Sequence, residues 1–380
     1  MKIVLAPDKY KSNMTSPEVC EVIADAFRSV IPDVQIVSLP MADGGDGTTR
    51  AMAAASGAEL RTVEVTGPLG GKVLAEYAFH PQKKIGVMEM ASASGIALVK
   101  AEELNPLRAT TYGTGEVLKA LLDDGAEQIT IGIGGSATVD GGAGMAQALG
   151  YKLLDAEDNE LATGAAELAK LARIDASGAD PRLKNVRIDV ACDVTSPLLG
   201  KTGAATVFGP QKGATPEMVV TLENNLARLA EIWMKQGMID CVDAPGDGAA
   251  GGLGAGLRAF CFAKPRSGAR LVMETLDFEK HIADADLVIT GEGKTDNQTE
   301  AGKLCGEIAA AAHAKGVKVM LVSGCLDDNG GDINDFNTVF DYVFTTSSGR
   351  TEWQDIKAHG RSDLGFLCRN IAKIFRDGVK

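Results

Sequence analysis

Short β-rich runs recur along the chain, and most of them stop at a turn rich in Gly or Asp. They are Ile3–Ala6, Gln35–Leu39, Gly86–Met90, Gln128–Gly132, Leu287–Thr290, Lys318–Ser323 and Tyr342–Thr345. Continuous apolar runs bounded by turn signals predict strands buried on both faces. Helical patterns lie between several of them. Ser16-Pro17-Glu18 predicts a helix start with a Ser cap, a proline in the first turn and an acid near the positive dipole end. Thr215-Pro216-Glu217 repeats that pattern and opens a helix reaching about Lys235. Alternating strands and helices predict an α/β protein with a parallel, doubly wound sheet. Two regions break the alternation. Arg61–Thr66 and Lys72–Phe79 flank Gly67-Pro68-Leu69-Gly70-Gly71 and predict a β-hairpin. A stretch near 145–275 carries Val186–Val190, Ala205–Phe208 and the long helix, interrupted by glycine clusters.

The expected organisation is therefore two domains. A discontinuous flavodoxin-like or Rossmann-like parallel-sheet domain is expected from 1–60, 85–140 and 280–380. A second α/β domain with a mixed sheet is expected from 61–84 and 141–279, with the active site in the cleft between the two. The length of 380 residues suits two cores. Composition adds one anomaly: 45 residues are glycine, well above the roughly 7 per cent of ordinary chains. A net charge of −13 lacks the basic field that a nucleic-acid binder needs, although it leaves room for a single nucleotide. No run reaches the ~18 apolar residues of a membrane helix. Seven scattered cysteines without a C-x-x-C pair fit reduced thiols, and Met1–Asp8 does not read as a secretory leader. A cytoplasmic protein is expected, with neither membrane nor nucleic acid as partner and with a homodimer left open.

Ligands of open α/β sheets bind beyond the carboxyl ends of strands, where this chain concentrates Gly, Asp, Lys, Ser and Thr. Asp8-Lys9-Tyr10-Lys11-Ser12-Asn13 follows the first strand and Asp43-Gly44-Gly45-Asp46-Gly47-Thr48 the second. Gln128–Gly132 runs into Gly134-Gly135-Ser136-Ala137-Thr138-Val139-Asp140, and Leu287–Thr290 into Gly291-Glu292-Gly293-Lys294-Thr295-Asp296. Glycines in such loops let backbone N–H groups approach an anion. Singly, each Gly-Asp pair is ordinarily just a turn. Gly246-Asp247-Gly248-Ala249-Ala250-Gly251 matches a dinucleotide pattern but lacks a preceding strand, which favours close packing or a phosphate loop. Gly70-Gly71-Lys72 is followed by Val73, so no Walker A sequence is present. The four histidines stand far apart and support neither a zinc site nor a Ser-His-Asp hydrolase. Carboxylates, lysines and glycine amides remain, and these are the parts of phosphoryl transfer.

At these loops the chain resembles the bacterial glycerate kinases of the non-P-loop type that forms 2-phosphoglycerate. The resemblance covers nearly the whole chain. It rests on blocks such as Ala42–Thr48, Val65–Gly70, Thr111–Glu116, Ile131–Thr138 and Val207–Ala214. It implies ATP and D-glycerate as substrates, with Mg2+. Lys11, Asp193 and Asp296 are then expected as catalytic residues, and Asp8, Asp43 and Asp46 on the acceptor side. Gly134, Gly135, Ser136, Thr138 and Lys212 are expected to bind the nucleotide phosphates, with Asp193 and Glu292 holding the metal. Departures from the family pattern at Lys9, Ser12, Asn13, Asp46, Val139, Ser196 and Asp247 keep a kinase of another small hydroxy acid as the alternative. A non-catalytic nucleotide- or metabolite-binding protein is the more distant one.

Overall fold

The computed structural model describes residues 1–11, 13–42, 45, 47–296, 304–327, 332–346 and 352–378. The chain divides into two compact units. One comprises Met1–Asp43, Ala54–Gly57 and Ala269–Lys380, and the other Gly44–Ala53 and Ala58–Gly268.

The first unit is built on a five-stranded sheet ordered Tyr342–Thr345, Lys318–Ser323, Leu287–Thr290, Lys2–Leu5, Gln35–Ser38. Every pairing in it is parallel. Numbered along the chain, that order is 2-1-3-4-5, the flavodoxin arrangement, whose switch point lies between the first and third strands. Here those are Lys2–Leu5 and Leu287–Thr290, paired Ile3 to Leu287. Ile3, Val4, Leu5, Val288 and Ile289 have no measurable solvent exposure, as strands covered on both faces require. Helix Ser16–Val30 and the terminal helix Trp353–Arg376 share one core with this sheet through Phe27, Leu364, Cys368 and Ile371. The Ser16 cap expected from sequence moves back one residue. The Glu18 carboxylate accepts the backbone N–H and the hydroxyl of Thr15, each at 2.7 Å. A capping box needs its acid three positions after the cap, which selects Thr15, and Ser16 instead donates to the carbonyl of Pro7 at 2.7 Å.

The second unit holds a six-stranded mixed sheet ordered Lys264–Arg266, Arg187–Ala191, Gln128–Gly132, Ile85–Glu89, Lys72–His80, Glu59–Thr66. The first four strands are parallel, and the hairpin Glu59–His80 adds the antiparallel edge. This overturns the assignment of 85–140 to the flavodoxin-like domain. Ile85–Glu89 pairs with the hairpin, Tyr77 facing Met88, and with Gln128–Gly132, Met88 facing Ile131. A buried parallel strand shows the same apolar run whichever sheet it joins, so periodicity carried no information on its partner. Ala205–Phe208, to which the sequence assigned no element type, lies in the short helix Ala204–Phe208. The long helix runs Pro216–Lys235 behind a Thr215 cap whose hydroxyl accepts the N–H of Met218 at 3.3 Å. Its Trp233 packs edge-on against Phe260 at 5.5 Å, and Phe260 against Tyr151 at 5.1 Å. No helix among the described residues is long and apolar enough to cross a membrane.

The Gly246–Gly251 run serves close packing. Helix Ala249–Cys261 is interrupted by left-handed backbone at Ala250, Gly251 and Gly252. A Cβ on Gly251 would stand 1.9 Å from the carbonyl oxygen of Thr138, and one on Gly254 2.0 Å from that of Gly246. Neither obstacle is a movable side chain. Gly251→Ala is therefore expected to destabilise the protein by about 1–3 kcal/mol or more, read as a lower urea midpoint. An unchanged midpoint would show that the backbone gives way freely there.

Candidate active site

In the second unit, strand Gln128–Gly132 delivers the chain into a loop held on both flanks. Ile96 N–H donates to Gly135 O at 2.8 Å, and Ala137 N–H to Ser94 O at 3.0 Å. Gly134 and Gly135 are exposed, whereas Ser136 through Asp140 are buried. Among the described residues, the N–H groups of Gly134 and Gly135 donate to no protein acceptor. Gly135 adopts a φ of +71°, open to glycine at little cost. Exposed amides in such a turn form a concavity suited to an anion.

Beneath this loop lies Lys212, whose side chain is 1 % exposed. Its Nζ donates to Ser136 Oγ at 2.6 Å and to the Thr138 carbonyl at 2.7 Å. The residue arrives on the short turn Pro210–Lys212, closed by Gly213 at a φ of +90°. Burial lowers the Lys212 amine to about 7 from an ordinary 10.5, and the negative charge of Asp140 opposes the shift. Asp140 is itself fully buried, and that burial raises its pKa. Its carboxylate accepts the N–H of Thr111 at 2.8 Å, the Thr111 hydroxyl at 2.9 Å and the N–H groups of Gly142 and Gly144. Thr138 Oγ1 is sealed from solvent without a hydrogen-bond partner among the described residues.

In the first unit, the chemistry gathers at the switch point of the parallel sheet. Asp8 N–H donates to Gly291 O at 2.7 Å, and the Thr290 hydroxyl to Ala6 O at 2.9 Å, so the loops after the two central strands are tied together. A Cβ on Gly293 would meet the backbone N of Lys11 at 3.1 Å. Tyr10 OH donates to Val322 O at 2.6 Å, and Gly324 N–H to Glu292 O at 2.9 Å, which adds the loop after Lys318–Ser323. The Cys305 thiol lies buried beside them; desolvation drives its pKa well up, and the charges of Glu292 and Asp8 add to that. Lys11 is exposed and Glu292 half-buried. Asp296 ends the short strand Lys294–Asp296, paired in parallel with Cys325–Asp327.

The residues expected from sequence thus form two sets. Gly134, Gly135, Ser136, Thr138 and Lys212 converge in the second unit. Asp8, Lys11, Glu292 and Asp296 belong to adjoining strand ends in the first. Asp193 is exposed in the second unit and accepts the N–H of Gly268 through Oδ1 at 3.1 Å. Asp193 and Glu292, expected as a metal pair, fall in different units. No group of three or more His, Cys, Asp or Glu side chains among the described residues is arranged to hold a metal. Asp43 and Asp46 lie outside the described residues. Two contributors were missed by the sequence reading. Asp140 ties down the segment behind the glycine loop, and Glu89 accepts the N–H groups of Gly47 at 3.1 Å and Thr49 at 2.7 Å. Glu89 is the acid that ends strand Ile85–Glu89, and Asp140 closes the glycine-rich loop that follows Gln128–Gly132, so both signals were visible in the sequence.

The model of the glycerate kinase family matches residues 3–376. A glycerate 2-kinase of Escherichia coli K12 is 49 % identical over 380 residues, spanning all of this chain and 99 % of the relative. A glycerate kinase of Bacillus subtilis 168 is 43 % identical over 98 % of this chain and 97 % of its own. A crystal structure from Salmonella typhimurium LT2, provisionally assigned as glycerate kinase 2, superposes with a TM-score of 0.90 at 44 % identity, covering all of this chain and 99 % of that one.

The buried lysine makes stability pH-dependent in a definite direction. With the folded pKa lowered to about 7, the unfolded chain binds the extra proton between there and 10.5. Stability contributed by this group therefore rises with pH across that window, by up to about 1.4 kcal/mol per pH unit. Lys212→Met should flatten the rise in urea denaturation series from pH 6 to 10. A slope equal to the parent's would contradict a neutral buried amine.

Proposed function

The chain is a member of the glycerate kinase family, and from that membership we propose that it transfers the γ-phosphoryl group of ATP to D-glycerate, giving ADP and 2-phosphoglycerate with Mg2+. The observation that carries this reading is the pair of exposed glycine amides at 134 and 135 above the buried Lys212. Oriented N–H donors fixed before the reaction stabilise phosphate charge without reorganising. Gly134 and Gly135 take the polyphosphate through these amides, and the Ser136 and Thr138 hydroxyls lie in the same loop. Lys212 acts from below, holding Ser136 and the Thr138 carbonyl so that the loop keeps its shape.

On the acceptor side, Lys11 attracts the glycerate carboxylate and Asp8 lies beside it on the same loop. Mg2+ uses one or two carboxylates and completes its shell with phosphate oxygens and water. Glu292, with Asp8 or Asp296, supplies donors of that hard-oxygen kind, and the ion would there neutralise phosphate charge. Asp193 orients the attacking hydroxyl and takes its proton. The hydroxyl oxygen forms the new bond to phosphorus, while the bond from phosphorus to the ADP oxygen breaks.

An ADP-release assay with D-glycerate and a panel of C3–C4 hydroxy acids tests the reading, followed by phosphorus NMR of the product. D-glycerate should give the highest kcat/KM, with phosphate on the C2 oxygen. A 3-phosphate product or a different preferred acid would overturn that assignment. Asp193→Ala should lower kcat at least ~100-fold. The lost bond to Gly268 should cost only about 1 kcal/mol of stability, as for a helix cap. Turnover near the parent's would remove Asp193 from the mechanism.

A further inference from the structure

Asp247 of the second unit is a buried acid, 1 % exposed, and Nη1 of Arg258 donates to both its carboxylate oxygens at 2.6 Å. Its Oδ2 also accepts the N–H of Ala244 at 3.0 Å, and its carbonyl accepts that of Ala255 at 3.2 Å. Arg258 stands on helix Ala249–Cys261. The pair therefore fastens the turn at 244–248 to the body of the helix that follows it. Such a pair adds little net stability over apolar residues of equal size. What it supplies is fixed geometry, because either charge moved away from the other would be left buried and alone.

The fastened run 244–251 touches two loops. On one side it supports 192–197, the segment that carries Asp193. Gly248 N–H donates to Ser196 O at 2.9 Å, and a Cβ on Gly248 would stand 2.1 Å from Pro197 O. One on Gly246 would stand 3.2 Å from Cys192 Sγ and 3.3 Å from Val194 O. Asp193 thus lies between two residues that both rest on Gly246. Its own carboxylate is set from strand Lys264–Arg266, through the N–H of Gly268. On the other side, Gly141 N–H donates to Gly251 O at 3.1 Å, and Gly251 bears on the Thr138 carbonyl that Lys212 also holds.

We propose that Asp247 and Arg258 are positioning residues, a brace that holds the 192–197 loop so that the Asp193 carboxylate meets the attacking hydroxyl. They act through the close backbone contacts of Gly246 and Gly248 and need not touch substrate. A reacting group displaced by about 1 Å can lose on the order of 100-fold in rate. A loop that rests on two glycines holds such a tolerance only if the glycines themselves are held. This role rests on the kinase reading, and within it on Asp193 as the group that takes the proton.

The test uses the full-length protein and two variants. Asp247→Asn is nearly isosteric but leaves Arg258 without its counter-charge. The double variant Asp247→Ala with Arg258→Met strands no charge, and it decides the matter where the single variant fails to fold. Both should lower kcat at least ~10-fold, while KM for ATP and for glycerate stays within about twofold. Added to Asp193→Ala, the double replacement should lower kcat no further, because the brace acts through that carboxylate. Hydrogen exchange read by mass spectrometry is independent of turnover: the Gly268 amide, bonded to Asp193, should exchange at least ~10-fold faster in both variants. An unchanged kcat or an unchanged Gly268 exchange in the double variant would overturn the brace. So would a full further loss of kcat in the Asp193→Ala background. If the parent does not phosphorylate glycerate, the kinase reading fails, and the Gly268 exchange still decides whether the pair holds Asp193 in place.

Discussion

The amine of Lys212 is the contact on which the proposed phosphate loop depends. A lysine sealed from water is costly to keep charged, and each donor it carries needs a partner. Ser136 Oγ and the Thr138 carbonyl supply two partners, so one side chain fixes a hydroxyl and a peptide plane of the same loop. The Thr138 carbonyl is further hemmed in by Gly251, which approaches so closely that no Cβ fits between them. Asp140 then anchors the chain beyond through Thr111, Gly142 and Gly144. Gly134 and Gly135, by contrast, are exposed and their N–H groups have no protein acceptor among the described residues.

The first unit follows a different logic. Its organising constraint is the sheet order, which separates the helical crossovers at the switch point and opens a crevice at the strand ends. Hydrogen bonds from Asp8 to Gly291 and from Thr290 to Ala6 bring together segments more than 280 positions apart. Asp8, Lys11 and Glu292 become neighbours because the strands before them are neighbours. Tyr10, donating to Val322 from a buried position, braces that arrangement against the next strand.

The glycine excess has two physical causes. Some glycines leave amides exposed where an anion can reach them, as at 134 and 135. Others let two backbones touch, as Gly251 does against Thr138 and Gly254 against Gly246. The dinucleotide-like run at 246–251 belongs to the second kind. Its Asp247 is buried, with both carboxylate oxygens 2.6 Å from Arg258. It forms a partly buried ion pair with Arg258.

The chain's own order of residues determined most of the strands, several to the residue. Gln128–Gly132, Leu287–Thr290, Lys318–Ser323 and Tyr342–Thr345 are bounded by turn residues that act locally. It also determined the glycine loop and Lys212 as candidates, since their composition is unusual wherever they fold. Tertiary structure alone decided which sheet Ile85–Glu89 and Gln128–Gly132 join, because a buried strand's apolar pattern is the same beside any neighbour. It decided as well that Ala204–Phe208 is helical, and that Glu89 and Asp140 hold backbone amides. The burial of Lys212 likewise comes from segments distant in sequence. Local pattern encodes the conformation of a segment; partnership and desolvation arise only when remote segments meet.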